Sequence, residues 1–140
     1  MNDPSVRAVV VAHGSMAAGL VDAVRQITGV DADLIVPISN RGLSPEALAA
    51  EVRARIQGPT IVFTDLQSGS CGFAVRRYCH DLPDLVVMSG VNLPILLEFV
   101  MLRELPLAEL VPKLISKGRS AIGSSKYNAE AHEHRAVSGG

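Results

Sequence analysis

The chain has 140 residues, 48% of them hydrophobic but only 4% aromatic, and a formal net charge of −1. That length suits one compact domain with a core of Val, Leu, Ile and Ala, and the charge balance excludes a nucleic-acid binder held by its overall field. Two cysteines eight apart without a CxxC pair argue for reduced thiols, and no apolar run is long enough to span a bilayer.

Val6 to Ala12 is apolar apart from Arg7 and rich in Val, the pattern of a strand covered on both faces. His13-Gly14-Ser15 makes a tight exit. Apolar residues at 17, 20, 21, 24 and 27 then predict a helix that Gly29 ends. Asp33 to Ile38 reads as a second strand. Ser44-Pro45 is a cap followed by a first-turn proline, and Leu48, Val52 and Ile56 recur every four residues until Gly58-Pro59 stops the helix. Thr60 to Thr64 is a third strand, leading into Asp65, the small-residue loop Ser68-Gly69-Ser70 and a helix over Cys71 to Cys79. Leu85 to Met88 is a fourth strand, with Ser89-Gly90-Val91-Asn92 as its exit. Pro94 to Arg103 is a strongly apolar helix. Leu107 to Lys117 is a last helix, although Pro112 lies inside it.

This alternation predicts an α/β fold: an open, mainly parallel four-stranded sheet with helices on both faces. The domain is expected over residues 1–122. Residues 123–140, rich in Gly, Ser, Ala and His, read as a flexible tail, disordered beyond about Tyr127. The N-terminus lacks the pattern of a secretory signal, so the chain is expected in the cytoplasm, reaching a membrane only through partners.

In an open parallel sheet, ligands collect beyond the C-terminal strand ends. His13 is the only histidine next to a predicted strand end. An imidazole can act as a nucleophile if one nitrogen is proton-free and the other donates to an acceptor that fixes the tautomer. Asp65, the carboxylate at a neighbouring strand end, is the natural acceptor. Either residue could instead be structural, His13 satisfying a loop carbonyl and Asp65 forming a turn. Gly14, Ser68, Gly69 and Ser70 keep the surroundings small, and free N–H groups before the third helix suit an anion. Ser70 could equally be a plain cap. Ser89 and Asn92 are candidates for a third wall, though Asn92-Leu93-Pro94 also suits a turn into the next helix. Arg76 and Arg77 are a solvated face or a docking patch, His80 is a helix-end residue, and His132 with His134 is an HxH pair that reads as plain tail residues, with weak metal binding the lesser alternative. No Walker motif or GxGxxG is present.

The stretches VVVAHGSMAAGLVDAVRQITG, IVFTDLQSGS and SGVNLPILLEFV together resemble the IIA domain of the mannose/fructose/sorbose family of the bacterial sugar phosphotransferase system. The resemblance covers roughly Val6 to Ile122. It implies that His13 carries a phosphoryl group, that Asp65 hydrogen-bonds it, and that Gly69 and Ser70 help receive the phosphoryl group. It implies phospho-HPr as donor, a IIB domain as acceptor, and membrane IIC and IID subunits further on, with no metal or other cofactor and no nucleic acid. It also implies a homodimer that exchanges a C-terminal strand, for which only Arg119 to Ser124 is available. The family loop usually reads D-x-x-G-G-S-P-x-N; here Ser68, Cys71 and Phe73 replace Gly, Pro and Asn. A regulatory phosphocarrier without transport is a variant of this reading. Small tetrapyrrole metal chelatases also place H-G-S after a strand, but would need a second histidine, with His80 the one ordered candidate.

Overall fold

The computed structural model describes residues 5–127. Strands and helices alternate as β1 (Arg7–Ala12), α1 (Met16–Thr28), β2 (Ile35–Ser39), α2 (Pro45–Ala54), β3 (Thr60–Thr64), α3 (Ser70–Tyr78), β4 (Leu85–Ser89), α4 (Leu93–Leu102) and α5 (Leu107–Ser120). All four strands are parallel, in the order β2-β1-β3-β4. Each parallel return needs a crossover, and the helices supply it.

The alternation of side chains along β1 and β3 divides the interior into two layers. Ala8, Val10, Ala12, Ile61 and Phe63 pack against α1, α4 and α5. Val9, Val11 and Val62 face the opposite way, onto Leu48 and Val52 of α2 and Ala74 and Val75 of α3. With almost no aromatics to spend, the chain places two of its three phenylalanines, Phe63 and Phe99, edge to face at 5.7 Å in the thicker layer. Pro37 is tolerated inside β2 because β2 is an edge strand, paired only with β1.

Local signals set most boundaries. Ser44 Oγ accepts from the Ala47 N–H and Pro45 opens α2, while Gly29 closes α1 in the left-handed region. Most boundaries fall within two residues of expectation, β2 starting at Ile35 and α3 at Ser70; α2 and α5 differ by more. α2 stops at Ala54, so Ile56 reaches the core from the following turn rather than from the helix. α5 continues through Pro112 to Ser120, burying Leu110, Leu114 and Gly118. Pro112 removes one internal hydrogen bond, but packing of the apolar face holds the helix together. Gly118 lets α5 sit directly on α4: a Cβ there would lie 2.5 Å from Ile95 Cδ1 and force that side chain to move.

The longer α5 takes Arg119 and Ser120 into helix, and residues 121–127 carry no strand in this single chain. The segment considered for an exchanged strand is therefore helical at its start. His132, His134 and the tail beyond 127 lie outside the described residues. Among the described residues no helix is long and apolar enough to cross a membrane.

Candidate functional site

The strand order reverses between β1 and β3: the chain leaves β1 toward β2 on one side, then returns to β3 on the other. The crevice at such a reversal is where the loops after the two central strands face each other. Here those loops begin with His13 and Asp65.

Asp65 Oδ2 accepts from the His13 main-chain N–H at 3.0 Å and lies 2.7 Å from Nδ1 of the same residue. Its other oxygen, Oδ1, accepts from the Leu66 N–H at 3.0 Å. The carboxylate is nearly enclosed, its side chain 8% exposed, whereas the imidazole is 45% exposed. Burial alone would raise the Asp65 pKa. The hydrogen bonds from the His13 main chain and ring, and the ring's positive charge when protonated, outweigh it and hold the carboxyl below the ordinary carboxylate value. An ionised carboxylate only accepts, so in the neutral ring Nδ1 carries the proton and Nε2 the lone pair. On that side Ser70 Oγ lies 3.3 Å from Nε2 and donates to it when the ring is neutral.

The surrounding loop is tight by construction. A Cβ at Gly69 would lie 3.3 Å from His13 Cε1 and 3.2 Å from Leu66 Cβ. Gly14 adopts a φ of 58°, a region that favours glycine, to turn the chain from β1 into α1. Its carbonyl accepts from Ser39 Oγ at 2.8 Å, which in turn accepts from the Arg41 N–H. Gly69 is the N-cap of α3 without a side-chain cap bond, and the first cap-type backbone bond runs from the Phe73 N–H to the Gly69 carbonyl. The earlier amides of α3 thus have no partner inside the helix. Arg76 Nη2 donates to the Gln67 carbonyl at 2.7 Å and so braces the loop, while the residue stays exposed. Arg77 lies over the Tyr78 ring.

His13, Asp65, Gly14, Gly69 and Ser70 therefore converge. Ser68 belongs to the same loop, but no side-chain bond ties it to the imidazole. Ser89 and Asn92 are engaged elsewhere. Ser89 Oγ accepts from Thr64 Oγ1 at 3.3 Å. Asn92 Oδ1 accepts from the Ile95 N–H, capping α4, while Nδ2 donates to the Gly118 carbonyl near the end of α5. One side chain thus satisfies two helix ends. Both residues line a groove of about 440 Å³ between β4, α4 and α5 whose walls do not include His13. His80, at the far end of α3 from Ser70, bonds the Arg77 carbonyl, so the second histidine a chelatase would need does not reach His13.

Two neighbours of the His13-Gly14 turn escape a reading of the sequence. Cys71, fully buried, has its Sγ 4.0 Å from His13 Nδ1. Burial first, and the Asp65 charge second, push its thiol pKa up. Arg41, on the loop after β2, brings a guanidinium nitrogen to 3.4 Å from where a Gly14 Cβ would stand. Among the described residues it forms no ion pair. The residue types gave no hint of either, because both come from elements whose orientation only the fold defines. Apolar side chains are also exposed on the elements that carry the site: Met16 at the start of α1, Leu66 in the loop after β3 and Phe73 in the first turn of α3 are 43%, 55% and 52% exposed.

Comparison with known proteins matches residues 7–115 to the family described as EIIA-man, PTS system fructose IIA component. The PTS system sorbose-specific EIIA component of Klebsiella pneumoniae is 33% identical over 98 residues, which is 68% of this chain and 73% of that protein. Among solved structures, the phosphotransferase system component EIIA from Streptococcus agalactiae aligns with a TM-score of 0.79 at 25% identity, covering 85% of this chain and 96% of that one. The mannose/sorbose-specific IIA subunit from Enterococcus faecalis aligns at 0.72 with 28% identity, over 86% and 94% of the two chains.

Proposed function

This chain belongs to the EIIA-man family of phosphotransferase-system IIA components, and from that premise we propose that Nε2 of His13 is the atom that takes up and gives away its phosphoryl group. The observation that carries this reading is the 2.7 Å contact between His13 Nδ1 and the enclosed, ionised Asp65. It directs the ring's lone pair to the exposed nitrogen.

Transfer is an in-line exchange. The Nε2 lone pair forms a bond to phosphorus as the donor's P–N bond breaks, and the donor imidazole departs with that electron pair. The His13 ring gains positive charge while its Nδ1–H stays in place against Asp65, which stabilises the charge as the aspartate of a hydrolase triad does. Ser70 Oγ and the first amides of α3 stand where the phosphoryl oxygens arrive, with Gly69 keeping the approach open. The Arg41 guanidinium adds a cation on the Gly14 side. Discharge runs the same steps backward.

The proposed donor is phospho-HPr and the acceptor a IIB domain, with IIC and IID subunits at the membrane and a homodimer as the working form. A surface-exposed imidazole, with Met16, Leu66 and Phe73 exposed on the elements that carry the site, supports use of one face by two proteins in turn. Incubation with phospho-HPr followed by mapping of the label should locate phosphohistidine at residue 13. Label elsewhere, or no label under conditions that charge a known IIA domain, contradicts the assignment.

A further inference from the structure

The phosphoryl-accepting imidazole has a third polar neighbour that the transfer step leaves unused. His13, Asp65 and Cys71 each offer one ligand atom, and these atoms lie within 4.8 Å of one another. The thiol is on the Nδ1 side of the ring, away from Ser70 and Nε2. It stands at the position where the resembled family loop has proline, a residue that offers no ligand atom.

We propose that His13 Nδ1, Asp65 and Cys71 Sγ form an inhibitory site for a thiophilic divalent cation of the Zn²⁺ class. This rests on the phosphoryl-carrier reading of the same histidine. Zn²⁺ takes Cys, His and carboxylate ligands at about 2.3, 2.0–2.1 and 2.0–2.2 Å, tetrahedrally, with water commonly in a fourth position beside three protein ligands. Those lengths require an N···S separation of about 3.6 Å and an N···O separation of about 3.3 Å. The observed separations are 4.0 and 2.7 Å. The carboxylate and thiol, within 4.8 Å of each other, need about 3.6 Å, so a coordination set requires shifts of about half an ångström at two pairs and about an ångström at the third, within reach of side-chain rotation. The carboxylate is already ionised. With the thiolate it would neutralise the charge of the cation beside two enclosed ligands and the half-exposed ring, so no uncompensated charge results.

The consequence for transfer follows from proton bookkeeping on one ring. A neutral imidazole holds a single N–H. In the metal-free protein that proton is on Nδ1, facing Asp65, and Nε2 has the lone pair. A cation on Nδ1 takes that nitrogen's lone pair, so the ring proton must move to Nε2. The thiol releases one proton to solvent and the cation is bound with no net oxidation or reduction. Nε2 then presents N–H instead of a lone pair and cannot attack phosphorus. The same contact that arms the histidine thereby becomes the means of disarming it.

The test uses the full chain freed of metal by a chelator, with Co²⁺ as the optical probe and Zn²⁺ as the inhibitor. Co²⁺ should bind one to one and give a thiolate-to-metal charge-transfer band. Cys79→Ala, which removes the other buried thiol, should keep that band, and Cys71→Ala should lose it. In chelator, wild type and Cys71→Ala should accept phosphoryl from phospho-HPr alike. With added Zn²⁺, acceptance by wild type should fall at least tenfold at a concentration that leaves Cys71→Ala active, which also controls for effects on the donor. Absence of the Co²⁺ thiolate band in wild type overturns the proposal, as does equal Zn²⁺ inhibition of the two proteins. If Cys71→Ala does not fold, the wild-type band, its retention in Cys79→Ala and its loss in His13→Ala decide the matter. Failure of both proteins to accept phosphoryl in chelator would sink the carrier reading while the Co²⁺ spectrum still answers for the site.

Discussion

The loops after β1 and β4 look alike in sequence, His13-Gly14-Ser15 and Ser89-Gly90-Val91-Asn92, and both leave the same edge of the sheet. Each has a glycine in the left-handed region that turns the chain toward a helix. Their polar side chains nevertheless do different work. Both polar ends of the Asn92 amide are bound by the fold, one to the start of α4 and one to the end of α5. Ser89 is held by Thr64. His13 has Nδ1 held tightly by Asp65, while Nε2, at a half-exposed surface, has only the longer 3.3 Å contact with the Ser70 hydroxyl. A strand-end polar residue becomes chemically available when the fold claims only part of its hydrogen-bonding capacity. The central position of β1 and β3 supplies this difference, because it places a second loop opposite His13. At the β4 edge the facing groups are helix termini.

Substitutions should separate the two loops, beginning with the largest effect. His13→Ala should abolish phosphoryl acceptance outright with the fold retained, read by transfer assay alongside circular dichroism. Asp65→Asn should slow acceptance by about 10² to 10⁴-fold, since an amide can donate to Nδ1 and favour the wrong tautomer. An unchanged rate would remove Asp65 from the mechanism. Asn92→Ala should show the reverse signature: a loss of about 1–2 kcal/mol in denaturant stability, from the lost cap and a stranded Gly118 carbonyl, with the transfer rate per folded molecule intact. A transfer defect as large as that of Asp65→Asn would erase the contrast between the loops. Gly69→Ala, which pushes a methyl against the imidazole, should lower the transfer rate by a few-fold without touching stability at the β4 edge.

The smallest effect is on pH dependence. Because the folded state holds the Asp65 carboxyl below its ordinary value of 3.8, the unfolded chain binds the proton more readily. The stabilisation is fully present above the unfolded value and fades as pH falls through the lower folded value. Wild type should therefore lose stability more steeply than Asp65→Asn below about pH 4, measured by denaturant midpoints across that range. Parallel curves would show that the carboxylate is not held as described.

How much of this the sequence discloses depends on the range of the interaction. His13 and Asp65 are legible because each directly follows a Val- or Ile-bearing strand, and a parallel sheet gathers its strand exits at one edge. Ser44 capping α2 is legible because cap and N–H are three residues apart. Asn92 is only half legible. Its bond to Ile95 is local, but its bond to Gly118 joins residues 26 apart and depends on α5 running beyond Lys117. Cys71 is assigned correctly to a helix that faces the sheet, yet its approach to His13 depends on the angle at which α3 starts, one residue earlier than the periodicity indicates. Arg41 is the least legible, because a long side chain on a loop has no period to constrain it.

The central claim is that Asp65 keeps the ring proton on Nδ1 and so leaves Nε2 of His13 with its lone pair. Nitrogen-15 NMR of ring-labelled histidine in metal-free protein, with pH raised until the ring is neutral, measures this directly. The account predicts a protonated-type Nδ1 shift and an unprotonated-type Nε2 shift for His13, collapsing toward a tautomer mixture in Asp65→Asn. A His13 signal with its proton on Nε2 in the wild-type protein would contradict it.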